Sequence, residues 1–286
     1  MIALGYVLGL LIGICLGMMG AGGAIMTIPV LVYLFEISTE TATFYSLFIV
    51  GLTAMIGTTN YLRNGLFDFK TVIFFGIPSI ISILVTTQIL APLILNSIFT
   101  IGNFTLFKPA LILFLFAILM ILSAIAMIRS SKAIIKDDFI GYQRYRYVLI
   151  MLQGILVGIL TGFLGAGGGF LIIPALVVLA HLPMKKAVGT SLCLISINCT
   201  IGFISRYHQI EHIDWKFLGF FTSLTCAGII SGIYLSRNWS GQLLKKGFAF
   251  FMIIMGTFII IKESFSKPAD NNQLKKTKII SENQLK

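Results

Sequence analysis

Long apolar stretches alternate with short clusters of charge along this chain. Charged residues gather at Glu36 and Glu40, from Arg63 to Lys70, at Lys108, from Arg129 to Arg146, at Lys185 and Lys186, from Arg206 to Lys216, from Arg237 to Lys246, and in a tail from Lys262. The runs between these clusters hold no Asp, Glu, Lys or Arg. A hydrocarbon core about 30 Å thick takes about 20 helical residues to cross, so the runs predict transmembrane helices. Eight segments can be counted, near Ile2 to Phe35, Thr41 to Leu62, Thr71 to Leu93, Pro109 to Ile128, Tyr147 to Ala180, Ala187 to Ser205, Phe217 to Leu235 and Leu244 to Ile261. The first begins without a basic region and is far longer than a signal peptide's core of about 7 to 15 residues, so it is expected to remain in the mature protein.

The apolar pattern also repeats. Shifted by 145 positions, Gly9, Gly13, Gly17, Gly20, Ala21, Gly22, Gly23 and Pro29 fall on Gly154, Gly158, Gly162, Gly165, Ala166, Gly167, Gly168 and Pro174, every pair identical. Leu31, Ala42, Ser46, Leu47 and Gly57 then meet Leu176, Ala187, Ser191, Leu192 and Gly202; with one residue inserted, Tyr61, Asp68 and Lys70 meet Tyr207, Asp214 and Lys216. A match of this length marks a duplicated unit. The expected fold is an all-α polytopic membrane protein of two homologous four-segment repeats, the first segment of each broken at a glycine-rich motif. The repeats occupy 1–128 and 147–261, joined by a basic linker at 129–146 and followed by a polar tail at 262–286 whose composition predicts disorder. Duplicated membrane units are commonest among secondary transporters, whose sites form between the halves.

Composition agrees: 57% of the residues are hydrophobic, 11% are charged, and mean hydropathy is +0.99. The net charge of +11 sits in short loops and a tail, where it reads as a topology signal and a contact for anionic lipid rather than for nucleic acid. Cys15, Cys193, Cys199 and Cys226 all fall in apolar segments without a redox or zinc spacing and read as small core residues.

Each glycine motif lies midway along a run of about 34 residues, which as one straight helix would measure about 50 Å, too long for one crossing. Several near-consecutive glycines, each costing about 1 kcal/mol inside a helix, mark a place to break it. A broken helix exposes an N-terminal end with unpaired N–H groups and partial positive charge, suited to an anion. Gly20, Gly22 and Gly23, with Gly165, Gly167, Gly168 and Gly169, are therefore the candidate substrate contacts, and Pro29 and Pro174 are structural. A shared site needs both breaks, so they are expected to approach each other. Gly9, Gly13, Gly17, Gly154, Gly158 and Gly162 instead read as small-residue stripes that let helices pack closely.

Two copies of Gly-x-Gly-Gly-Gly/Ala ahead of Pro29 and Pro174, with Ala-Val-Gly-Thr-Ser-Leu at 187–192, resemble the TauE/SafE sulfite exporter family, also called toluene-sulfonate uptake permeases. The resemblance spans nearly the whole chain. The first half departs from it, with Ala24 for the last glycine and Ala-Thr-Phe-Tyr-Ser-Leu at 42–47. The resemblance implies transport of sulfite, sulfonates or related organosulfur anions.

The helices after each motif carry Ser46, Thr53, Thr58 and Asn60 in one half, and Thr190, Ser191, Ser196 and Asn198 in the other. Ser46, Thr53, Thr190, Ser191 and Asn198 are candidates for an anion's hydrogen-bond shell, or bond helix to helix. Arg206 either attracts an anion at a vestibule or anchors its helix at the interface. No acid lies inside a predicted span, which favours an anion or neutral solute over a cation. His208-Gln209-Ile210-Glu211-His212 matches an inverted zinc-protease pattern, but a short loop between spans lacks the supporting helix.

With eight crossings, one side holds 15 Lys and Arg against 6 on the other, placing both termini in the cytoplasm. If each glycine-broken segment instead re-enters on its own side, the repeats become inverted, with 12 against 3 once the tail is left out. Both arrangements fit. The chain is thus read as a secondary transporter or facilitator of a small anion in the cell membrane, the bacterial inner membrane, with membrane lipid as its surroundings and without cofactor, metal or nucleic acid. The alternatives are an intramembrane enzyme or non-transporting subunit, for which no reactive pair is visible, and a metal-cation transporter using His208 and His212.

Overall fold

The structure, a computed structural model, describes residues 2–90, 97–101, 104–129, 142–164, 169–180, 182–207 and 213–265. In chain order the elements are α1 (Ile2–Met19), α2 (Gly22–Leu34), α3 (Thr39–Arg63), α4 (Phe69–Val85), β1 (Ser97–Ile101), β2 (Phe104–Phe107), α5 (Lys108–Arg129), α6 (Tyr142–Leu164), α7 (Gly169–Pro174), α8 (Met184–Arg206), α9 (Trp215–Arg237) and α10 (Gly241–Phe265). Wider π-helical turns extend α4 over Thr86–Leu90 and α7 over Ala175–Leu179. Pro174 stands at the second of these joints and Pro29 lies within α2. A proline ring removes a donor and crowds the carbonyl four residues back, which a wider turn relieves. The bundle is helical apart from the antiparallel pair β1–β2, whose Ile, Phe and Thr residues suit a strand.

Polar residues start the helices where the apolar runs begin. The Thr41 amide donates to Ser38 Oγ at 3.3 Å ahead of α3. Ahead of α9, the Lys216 and Phe217 amides donate to Asp214 Oδ1 at 3.1 and 3.0 Å. Both satisfy helix-end N–H groups that would otherwise lack a partner. Among the described residues, five helices are long and apolar enough to cross a membrane: Glu40–Arg63, Phe69–Leu90, Met184–Arg206, Trp215–Arg237 and Gly241–Ile261. Large apolar side chains such as Val7, Ile77, Ile81, Leu122, Ile230 and Phe250 point outward, the pattern of a bundle solvated by lipid tails.

The first apolar run does not continue straight through its glycines. It folds into a hairpin: Tyr6 near the start of α1 meets Phe35 just past α2 edge to face at 5.3 Å, and Gly23 faces the Ile12 carbonyl and Leu16. α1 and α2 therefore run antiparallel, and the chain returns to the end from which it set out. This is the re-entrant alternative that charge counting left open.

Two ends of the bundle can be named from what gathers there. At one, Tyr6, Phe35, Tyr45, Phe203 and Phe217 meet in ring contacts. At the other, Tyr61 lies between Gly17 and Ser236. α1 runs from the Tyr6 end to the Tyr61 end beside α9, where Gly9, Gly13 and Gly17 face Phe221, Thr225 and Ile229 in turn. α6 runs parallel to α4, with Gly154, Gly158 and Gly162 facing Phe75, Ser79 and Thr86. α3 and α8 lie antiparallel, Gly51 against Cys199 and Gly202 against Leu47. Gly13, Gly17, Gly154 and Gly158 thus let one backbone lie directly on another, while Gly9 and Gly162 make room for Phe221 and Thr86.

Candidate functional site

The first break opens after Met19. Gly20 takes the left-handed conformation, φ +76°, which a residue with a Cβ adopts only at a cost. Ala21 precedes α2 and has no side chain to cap it, so the leading amides of α2, those of Gly22 and Gly23, receive no side-chain acceptor from that position. This turn is packed inside the bundle. A Cβ built on Gly20 would stand 2.7 Å from Ser191 Oγ and 3.1 Å from Val188 Cα, both on α8, and 3.1 Å from Ile173 Cδ1 on α7. Gly22 faces Phe251 of α10.

In the second half α6 ends at Leu164 and α7 begins at Gly169. Gly165, Gly167 and Gly168 lie outside the described residues. A Cβ built on Gly169 would stand 2.6 Å from Ile195 Cδ1 and 3.5 Å from Ala21 Cβ. The starts of α2 and α7 therefore meet, with Gly20, Gly22, Gly23, Gly169 and Ser191 in one buried region.

The remaining candidates are dispersed. Ser46 is buried, its hydroxyl donating to the Thr43 carbonyl at 2.9 Å, and Ser191 donates likewise to Val188. Gly57 lies level with Leu192, so Ser46 and Ser191 are separated along the bundle by about 18 Å, roughly twelve residues of helix rise. Thr53 is tied to α9, its hydroxyl 2.8 Å from Thr225 Oγ1. Asn198 is tied to α4, its amide donating to Ser79 Oγ at 3.1 Å, while its buried Oδ1 has no partner. Thr190 Oγ1 accepts from the Asp68 amide at 3.1 Å. Thr53, Asn198 and Thr190 thus bond helix to helix or helix to loop.

Arg206 ends α8 at the Tyr6 end, where its Nη2 donates to the Gly162 carbonyl at 3.1 Å, and Glu40 acts on it electrostatically. In the first half the Tyr61 hydroxyl makes the corresponding bond, donating to the Gly17 carbonyl at 3.0 Å. Nothing in the sequence marks Tyr61, Thr225 and Ser79 as partners of Gly17, Thr53 and Asn198, which lie 44, 172 and 119 residues away. Tyr61→Phe is expected to leave the Gly17 carbonyl unpaired and cost about 1–3 kcal/mol. Thermal unfolding in detergent, compared with that of the parent, measures it.

The loop His208 to His212 lies outside the described residues. Among the described residues no three His, Cys, Asp or Glu side chains gather as a metal site. All four cysteines are free, and Cys199 is buried.

The family model described as "Sulfite exporter TauE/SafE" matches residues 6–259. The chain is 26% identical to the "Probable membrane transporter protein YunE" of Bacillus subtilis, over 91% of this chain and 97% of that one. It is 29% identical to a "Probable membrane transporter protein" of Methanocaldococcus jannaschii over 89% of this chain and 94% of that one. One of the same description from Haemophilus influenzae is 26% identical, over 91% and 98% of the two chains. No solved structure matches.

Proposed function

The chain belongs to the sulfite exporter TauE/SafE family and is a membrane transporter, and we propose that its cargo is a small oxyanion, sulfite or a sulfonate, held where the starts of α2 and α7 meet. The observation that carries this reading is the juxtaposition of two glycine-led helix starts inside the bundle, Ala21 against Gly169. Helix-start amides carry partial positive charge and point at whatever lies ahead of the helix, and in a low dielectric they favour an anion. The surroundings agree. Among the described residues the fully buried polar side chains are Ser, Thr and Asn, with no buried carboxylate to balance a cation.

Gly20, Gly22, Gly23 and Gly169 are the proposed backbone contacts, Gly165, Gly167 and Gly168 their counterparts by the repeat, and Ser191 the hydroxyl beside the first break; Ser46, about 18 Å from Ser191 along the bundle, lies away from the meeting point. Thr53, Asn198 and Thr190 position the helices around that site.

The two halves, 1–128 and 147–261, are on this reading inverted repeats related by a two-fold axis in the membrane plane. The packing supports it: α1 on α9 exchanges with α6 on α4, while α3 on α8 and α5 on α10 each map onto themselves. Three pairs of hydrogen bonds support it as well. Tyr61 to Gly17 exchanges with Arg206 to Gly162, Thr53 to Thr225 with Asn198 to Ser79, and Asp214 to Tyr45 with Asp68 to Thr190. The basic residues from Arg63 to Lys70, at Lys185 and Lys186, and from Arg237 to Lys246 then fall at the Tyr61 end, which faces the cytoplasm of a bacterial cell membrane.

Vesicles loaded with the purified protein and offered labelled sulfite, sulfonates or sulfate, with and without a proton gradient, test the proposal. Saturable uptake of sulfite or a sulfonate, competed by unlabelled anion, is expected. Transport of a cation, with no oxyanion carried under any gradient, would overturn it.

A further inference from the structure

We infer that the second half alone carries a cationic subsite for the oxyanion, formed by Arg206, Thr161 and Thr86 at the end of α6; this rests on the oxyanion reading above. The halves match closely in their helix packing, yet they part company here at three positions together. Arg206 makes the bond on α6 that Tyr61, matched in sequence by Tyr207, makes on α1, Thr161 stands where the first half has Leu16, and Thr86, facing Gly162, where it has Gly232, facing Gly17. In each case the first half is neutral, apolar or without a side chain.

The two threonines behave unlike the others in the bundle. Thr53, Thr58, Thr87 and Thr222 each donate to the carbonyl four residues back, the ordinary use of a helical hydroxyl. Thr161 and Thr86, 3% and 0% exposed, have no partner for Oγ1. A buried hydroxyl left unpaired is costly, so two of them at the helix end that Arg206 caps point to a group that the protein itself does not supply. Both stand at the residue whose carbonyl Arg206 caps: the Thr86 Cβ is 2.6 Å from where a Cβ on Gly162 would stand, and Thr161 immediately precedes Gly162.

Capping α6 does not by itself call for a cation. Tyr61 gives the Gly17 carbonyl the same bond with a neutral hydroxyl, whereas a half-buried guanidinium is expensive to place. Among the described residues the remaining Arg206 donors have no hydrogen-bond partner. A planar fork of N–H groups at a helix end that also holds two unpaired hydroxyls suits the oxygens of sulfite or a sulfonate. By the repeat Thr161 takes the place of Leu16, the residue that lies against Gly23 at the start of α2. The subsite therefore lies on the way from the Tyr6 end to the paired breaks.

Thermal stabilisation of the detergent-solubilised protein by sodium sulfite, sodium methanesulfonate or sodium chloride reads binding without transport. Saturable stabilisation by sulfite or methanesulfonate is expected, weakened about tenfold or more in R206Q and in T161V and less in R206K, as for loss of a charge-assisted bond. If R206Q does not fold, T161V and T86V decide. Unchanged affinity in the variants, or no oxyanion binding by the parent, overturns the inference. So does stabilisation by a short-chain phosphatidylglycerol in place of the free anions, which would assign Arg206 to a lipid phosphate. Vesicle uptake separates the two readings. Uptake that persists while binding ignores Arg206 overturns this subsite alone. Arg206-dependent binding with no uptake overturns the cargo proposal alone.

Discussion

Valine at Gly20 is expected to abolish transport while the protein still inserts into the membrane. Gly20 holds φ +76°, where an L-residue loses about 1–2 kcal/mol and a β-branched one more. Its Cβ would also press on Ser191 Oγ at 2.7 Å and on the α8 backbone at Val188 Cα, 3.1 Å away. α8 cannot yield without moving the wall of the meeting point between α2 and α7. Displacement of a site by about an ångström is enough to cost about a hundredfold in turnover, so uptake should fall to background. Gly65→Val is the matched control. Gly65 has φ +69° but nothing within 4 Å of its Cβ, so this variant carries the same backbone penalty without touching the site. It should keep uptake within about twofold, since a backbone penalty of about 1–2 kcal/mol lowers stability without moving the meeting point of α2 and α7. Equal loss in both variants would mean that the left-handed turn matters only for folding.

What could be read in the sequence follows from which physical signals are local. Apolar runs bounded by charge place the helices, since crossing a hydrocarbon layer sets their length. Identical glycines at a fixed offset reveal the repeat, and their clustering marks the break that the structure has between Met19 and Gly22. The direction in which the chain leaves that break was not legible. A straight continuation and a hairpin both satisfy the charge bias of the loops, and the choice depends on long-range contacts such as Tyr6 with Phe35 and Gly23 with Ile12.

The polar candidates divide in the same way. Ser191, one helix after the second motif in the chain, lies beside the first break, a crossing between the halves that its place in the sequence does not announce. Thr53 and Asn198 are engaged by Thr225 and Ser79, partners 172 and 119 residues away in the chain, and no local pattern announces such pairings. Thr86 and Thr161 give no signal of their own, because a threonine in an apolar run ordinarily satisfies itself on its own helix. Only the structure shows that these two do not.

Alanine at Gly158 is expected to damage the fold and spare the site. Gly158 lies on α4: an added Cβ would stand 2.7 Å from Ser82 Cβ and 3.0 Å from Ser79 Cα, and one of these atoms belongs to backbone that cannot rotate aside. α4 and α6 must separate by several tenths of an ångström along a contact that Gly154 and Gly162 also make on backbone or Cβ atoms. Overpacking of this kind costs about 1–3 kcal/mol. For a chain of this size that is a fall of several degrees, at about 2–4 °C per kcal/mol. Gly219→Ala, on α9 with nothing within 4 Å, is the control. It should be neutral or stabilising by up to about 1 kcal/mol, the gain in helix propensity. Anion affinity should stay within about twofold in Gly219→Ala and fall less in Gly158→Ala than in T161V, because neither residue faces the meeting point of α2 and α7 and Gly158 lies one turn from the Thr86 contact. If Gly158→Ala instead weakens anion binding at an unchanged melting temperature, the stripe belongs to the binding site and its role is not packing alone.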